Sequence, residues 1–150
     1  MIWCKIRTEC GSERVVVWEE IREELLSLDN PERGTSNREG AFVTMWFEQN
    51  GTDNEFIQCM PDYPKPENFF KKLFGLSKGT VAIIPSYTVE VSTGEKIYTY
   101  QVGTKEQVAQ IFHNYYLSHK LPDITNWQDS GIIWGYYWLP HDLNRLQPGQ

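Results

Sequence analysis

Residues 96–127 read KIYTYQVGTKEQVAQIFHNYYLSHKLPDITNW, and a change of period inside this stretch decides the fold. Lys96 to Val102 is built from strand formers. From Thr104 onward the spacing changes, with Val108, Ile111, Phe112 and Tyr115 recurring at i, i+3, i+4 and i+7. That spacing places one apolar stripe against a core. Thr104 can accept a hydrogen bond from the backbone N–H of Gln107 while the Gln107 side chain reaches back, the capping-box arrangement. Leu121-Pro122 is expected to end the helix, because the residue before a proline is pushed out of the α region.

Working outward, Ser92-Thr93-Gly94-Glu95 links this strand to another at Tyr87 to Val91 as a hairpin. Thr80 to Ile84 reads as a further strand. Ala41 to Gln49 and Glu55 to Met60 flank a Gly-containing hairpin signal, Asn50 to Asn54. Pro61, Pro64 and Pro66 then punctuate a loop, and Glu67 to Phe74 reads as a short helix closed by Gly75. Near the N-terminus, Ile2, Cys4 and Ile6 alternate with Trp3, Lys5 and Arg7, a half-buried first strand. Trp18, Ile21, Leu25 and Leu28 then share one helical face, while Val15 to Val17 could still be extended. Asp29-Asn30-Pro31 stops that helix, and the polar segment to Gly40 is loop. Consecutive strands joined by short turns imply an α+β protein, an antiparallel β-sheet of about five to six strands with two main helices packed on one face. Residues 1–150 form a single domain, with about 144–150 as a flexible tail.

The chain has 150 residues, a net charge of −6 and an aromatic share of 14%. A 17.6 kDa chain is long enough to bury roughly two thirds of its unfolded surface. Its acidity disfavours direct nucleic-acid binding, whose affinity comes largely from Lys and Arg neutralising phosphates. Residues 1–40 hold nine carboxylates against six basic groups, whereas residues 76–150 hold six against five. Three cysteines, Cys4, Cys10 and Cys59, exclude a full disulfide framework and show no zinc-type spacing. The first residues lack a signal-peptide pattern. Ile132 to Pro140, about ten residues, is too short to cross a bilayer. A cytoplasmic, reduced setting is the expectation.

Nothing in the pattern supplies a catalytic constellation, and no catalytic, cofactor or metal residue is expected. His113 and His119 are turned about 240° apart on one helix and cannot share a metal as i, i+4 ligands do. His141 falls in a loop. Cys4 and Cys59 read as small buried hydrophobes without a base beside them. No GxSxG, SxxK, GxGxxG or P-loop occurs, and the HxE and PCxxC residues of zinc deaminases are missing.

Charge and aromatic density carry more information. Glu19/Glu23 and Glu20/Glu24 are like-charge i, i+4 pairs, offset locally only by Arg22. Such a face is either solvated or shaped for a basic partner, whose approach it would speed. Six tryptophans are present. Trp3, Trp18, Trp46 and Trp127 fit core or core-edge positions. The run from Gly131 to Pro140, with Trp134, Tyr136, Tyr137 and Trp138, reads either as a strand buried on both faces or as an exposed aromatic patch of the kind found at interface hot spots.

Three segments also resemble a known family. They are the first strand with the acidic helix ending ELLSLDN, the segment KKLFGLSKGTVAIIP, and the strand–helix–Pro–Trp unit quoted above. Together they resemble the immunity protein family one type of bacterial polymorphic toxin systems, whose members accompany deaminase toxins. Residues beyond about Ser130 extend past that pattern. The resemblance implies stoichiometric inhibition of a cognate toxin domain with a basic surface, by blocking its nucleic-acid substrate, with no enzymatic activity and no direct nucleic-acid or membrane binding. From charge and aromatic character, the expected contacts are Glu19, Glu20, Glu23, Glu24 and Glu32, then Trp134, Tyr136 and Tyr137. The alternative is a small enzyme or ligand-binding domain with an aromatic-lined pocket. A third is a homo-oligomer joined through 131–140.

Overall fold

A computed structural model describes residues 2–33, 40–48, 55–63 and 85–133. Their elements run β1 (Trp3–Thr8), β2 (Arg14–Val15), α1 (Trp18–Leu26), β3 (Val43–Glu48), β4 (Glu55–Asp62), β5 (Ser86–Thr93), β6 (Lys96–Val102), α2 (Lys105–Ser118) and β7 (Gln128–Ile133). The strands form one antiparallel sheet in the order β2-β1-β3-β4-β5-β6-β7. From β4 onward each strand pairs with the one before it in sequence, while β3 returns to β1 after β2 and α1. The protein is α+β, as expected, with seven strands among the described residues rather than five to six.

One buried cluster unites both helices with one side of the sheet. Cys4 and Ile6, Val43 and Met45, Ile57 and Cys59, Tyr87, Val89 and Val91, and Val102 meet Ile21 and Leu25 of α1 and Val108, Phe112 and Tyr115 of α2. The alternation within each strand puts these side chains on the same face. On the other face, Trp46, Phe56 and Ile97 form a smaller cluster joined by Ile132. The predicted stripe of α2 is therefore the buried one, with Ile111 at its margin.

The helix starts where its capping box places it. The Gln107 N–H donates to Thr104 Oγ1 at 3.2 Å, and the Thr104 N–H donates to Gln107 Oε1 at 3.2 Å. It ends earlier than Leu121-Pro122 would require. His119 takes a left-handed conformation (φ 57°) and its N–H donates to the Tyr115 carbonyl at 2.8 Å. A left-handed residue closes a helix by satisfying a trailing carbonyl, and here a histidine does so in place of the usual glycine. In α1, regular structure stops at Leu26, so the buried Leu28 belongs to the following turn. Between β5 and β6 the two-residue turn Gly94-Glu95 has φ 93° at glycine, where tight hairpins demand it.

Four further expectations change. Pro61 continues β4 opposite Tyr87 instead of opening a loop. β3 begins at Val43, opposite Cys59, so beyond that point β4 pairs through β5 and can carry a residue without an N–H. Trp3 is 48% exposed rather than core or core-edge, because the alternation that buries Cys4 and Ile6 turns Trp3 to the opposite face. β7 begins at Gln128, within a polar run that carries no strand signal. It is tied to β6 by Lys96–Asp129 at 3.2 Å and by Ser130 Oγ donating to the Ile97 carbonyl at 2.6 Å. The two-residue β2 is the other added strand. The expected strand at Thr80–Ile84, the helix at Glu67–Phe74, the hairpin at Asn50–Asn54, His141 and the tail lie outside the described residues. Among those described, no helix is long and apolar enough to cross a membrane.

Candidate protein-interaction surface

The four carboxylates of α1 divide by helical angle. Ile21 and Leu25 face the core, which places Glu19 and Glu23 on the opposite side of the helix. Both are exposed and make no ion pair among the described residues. Glu20 and Glu24 lie on the flank and are engaged within the molecule. The Val17 N–H donates to Glu20 Oε2 at 3.0 Å, so Glu20 closes the start of α1, where a negative charge also suits the helix dipole. Glu24 pairs with Arg14 at 2.9 Å and Arg33 at 3.2 Å. Glu32 is exposed, with its N–H donating to Asn30 Oδ1 at 3.0 Å.

Arg33 makes a hub of this corner. One guanidinium nitrogen donates to the Glu24 carbonyl (2.5 Å) and Ser27 Oγ (2.9 Å), and the other to Glu9 Oε1 (2.6 Å) and the Phe42 carbonyl (3.4 Å). The Arg33 and Glu9 side chains are only 11% and 10% exposed. This well-packed cluster fixes the loop after α1 to the β1 end and the β3 start. Lys105 does the same for the opposite ends of the two helices, donating to the Leu26 carbonyl at 3.2 Å and pairing with Asp29 at 3.3 Å.

Where the start of α1 meets the end of α2, the surface becomes aromatic. Trp18 stacks on His113 with centroids 4.3 Å apart, and Tyr116 is 5.8 Å from Trp18. Tyr116 continues the chain to Phe47, which also meets Tyr115 (5.0 Å) and His119 (4.1 Å). Trp18, His113, Tyr116 and Phe47 are half-buried. Val17 precedes Trp18 and is 54% exposed, and Leu117, one turn from His113, is 67% exposed. Sequence reasoning places Trp18 at a core or core-edge position and finds no shared metal for His113 and His119. It missed their convergence, because two helices must be docked antiparallel before His113 can find Trp18.

The opposite face of the sheet carries a polar row that crosses six strands. Arg7, Thr44, Gln58, Glu90, Thr99 and Gln128 are successive register partners from β1 to β7. Thr44 Oγ1 donates to Gln58 Oε1 at 2.5 Å, and Gln58 Nε2 donates to Glu90 Oε1 at 3.3 Å. Thr44, Gln58 and Glu90 are buried. This row holds one carboxylate, whereas an acid–base pair needs two groups set apart in role. Among the described residues, no three His, Cys, Asp or Glu side chains are placed to hold a metal.

The cysteines are all free. Burial pushes the Cys4 thiol up to about 12, and burial followed by the Glu90 charge pushes Cys59 higher still. Cys10 alone is exposed. A thiol-reactive dye is therefore expected to label one of the three cysteines in native protein and all three after denaturation. The fold favours the protonated Cys4 thiol, so that contribution to stability is complete below the ordinary value of 9.0 and is lost as pH rises toward about 12. Urea midpoints measured across that window should fall, and a flat profile would contradict the assignment.

Of the residues singled out in the sequence, Glu19, Glu23 and Glu32 face solvent, while Glu20 and Glu24 serve the fold as well. Trp134, Tyr136 and Tyr137 lie outside the described residues, and only Gly131–Ile133 of that aromatic run are seen, as the end of β7. No family model matches the chain, and neither a curated protein nor a solved structure is significantly similar to it.

Proposed function

We propose that this chain is an immunity-type inhibitor, which binds a cognate toxin domain with a basic surface and covers its active site. The observation that carries the reading is the pair of exposed carboxylates Glu19 and Glu23, unpaired among the described residues, on the helix whose Trp18 begins a partly buried aromatic chain through Tyr116 to Phe47. An apolar, aromatic centre with a charged rim is the anatomy of a specific interface. A toxin acting on nucleic acid presents a positive groove, and an acidic protein can occupy it by complementary potential. The three segments that resemble immunity proteins of deaminase toxins point the same way, and such a protein would work in the cytoplasm.

Affinity purification of the tagged chain from its own cells tests this. A 1:1 complex with a basic domain, whose activity on nucleic acid stops when the chain is added back, is the expected result. Retention of a small metabolite alone would favour the enzyme or ligand-binding alternative. The double change Glu19→Lys and Glu23→Lys is expected to slow association about tenfold or more at low salt, with melting temperature almost unchanged. An unaltered association rate would remove α1 from the interface.

A further inference from the structure

We infer that the end of the sheet where α2 begins, between Tyr63, Tyr87, Asp29 and Glu106, is a binding site for a primary ammonium group on a short aliphatic stem. Several connections meet there. Tyr87 pairs with Pro61 of β4 and with Val102, the last residue of β6. Tyr63 directly follows β4. Continuing the register, it stands opposite Pro85 and diagonal to Tyr87 on the same face, a spacing that aromatic side chains can bridge. Val102 leads through Gly103 and Thr104 into the first turn of α2, which carries Lys105 and Glu106. Asp29 arrives from the turn after α1 and pairs with Lys105 at 3.3 Å.

This corner has a buried floor and an open rim. Tyr87 is 2% exposed, and Pro61, Pro85 and Val102 are buried. Tyr63 Oη is shielded from water and has no hydrogen-bond partner among the described residues. A hydroxyl so placed costs stability until a group bonds to it. On the rim, the Asp29 and Lys105 side chains are 35% and 32% exposed, and Glu106 is exposed. Burial holds the proton on the Tyr87 hydroxyl above the usual phenol range. Asp29, Cys59, Tyr63 and Glu106 act in the same sense, so these groups share one electrostatic neighbourhood.

The groups present select a cation that carries N–H donors. Lys105 is held by the Leu26 carbonyl at 3.2 Å and offsets Asp29, while Glu106 makes no ion pair among the described residues. An anion would meet two carboxylates and be repelled. A metal ion would lack ligands, since among the described residues no three His, Cys, Asp or Glu side chains are placed to hold one. An alkylammonium brings three donors, which suit the two phenol oxygens and the Glu106 carboxylate. Its stem can lie against the tyrosine rings, whose faces also attract the charge.

The test titrates n-butylammonium into isotope-labelled protein, with tetramethylammonium, guanidinium and butyrate as comparison probes. n-Butylammonium is expected to shift the Gly103 and Lys105 backbone amide signals saturably, with the other three at least about tenfold weaker. Tyr63→Phe removes only the unpartnered hydroxyl. It is expected to weaken binding about tenfold or more while melting no lower than the parent, a combination that a merely structural hydroxyl would not give. Glu106→Gln should weaken binding too, and Glu23→Gln, on the outer side of α1, should leave it unchanged. Nα-acetyl-lysine methylamide carries the same ammonium on a protein-like stem. Affinity at or above that of n-butylammonium assigns the site to a lysine side chain, and lower affinity assigns it to a free amine. No saturable shift, an equal response to tetramethylammonium or butyrate, or full binding by Tyr63→Phe would each overturn the site.

Discussion

Arg33→Ala is expected to lower the unfolding free energy by about 3–5 kcal/mol, the cost of stranding a buried charge. Arg33 donates to both Glu24 and Glu9, to Ser27 Oγ and to the carbonyls of Glu24 and Phe42. Without it, the Glu9 carboxylate keeps the Phe42 N–H at 3.3 Å and a weak Cys10 Sγ contact at 3.7 Å, while remaining shielded from water. Glu24 suffers less, since Arg14 still pairs with it. Lysine is a poor substitute, because one ammonium cannot reach acceptors spread around a planar fork. Urea unfolding of Arg33→Ala, Glu9→Gln and the double variant gives the coupling directly. Adding Glu9→Gln should recover part of the loss, and an Arg33→Ala protein as stable as the parent would show that the cluster contributes nothing.

Phe112→Ala is the second change with a large effect, again about 3–5 kcal/mol. Phe112 is fully buried in the middle of the α2 stripe, between helix and sheet, and its ring belongs to the principal core. Truncation removes the transfer energy of the ring and leaves a cavity that rigid strands cannot close. Typical domains hold only about 5–15 kcal/mol in total, so the variant should melt far below the parent. Leu117→Ala on the same helix is the internal control. Its side chain already faces water, and its effect on stability should stay within about 0.5 kcal/mol. Equal losses at the two positions would mean that the helix is seated on a different face.

The contrast between these residues also marks what can be read from the amino acids alone. Periodicity is local, so the stripe of α2, the capping box and the β5–β6 hairpin were legible, and with them the α+β class. Arg33 was not, because its value depends on Glu9, 24 residues away, and its own surroundings, NPERGTSNREG, carry only loop signals. β7 was obscured for a related reason. Gln128, Asp129 and Ser130 have poor strand character, and pairing with β6 sets their conformation. The acidic helix was found, but not the division of its carboxylates. Glu20 and Glu24 differ from Glu19 and Glu23 only once Val17, Arg14 and Arg33 are in place. The aromatic patch required the docking of two helices, which no single stretch encodes.

The polar row on the far side of the sheet makes misalignment expensive. Strand side chains alternate, so sliding any central strand by one position would drive Gln58, Glu90 or Thr44 among Phe112, Ile21 and Leu25, and lift valines into a hydrophilic lane. Hydrophobic contacts alone tolerate a slip of two positions, which keeps every side chain on its own face, since one aliphatic residue substitutes for another. An amide and a carboxylate do not. The six-strand lane therefore works as a keyway, admitting one alignment of the chain and rejecting its near neighbours while the sheet assembles.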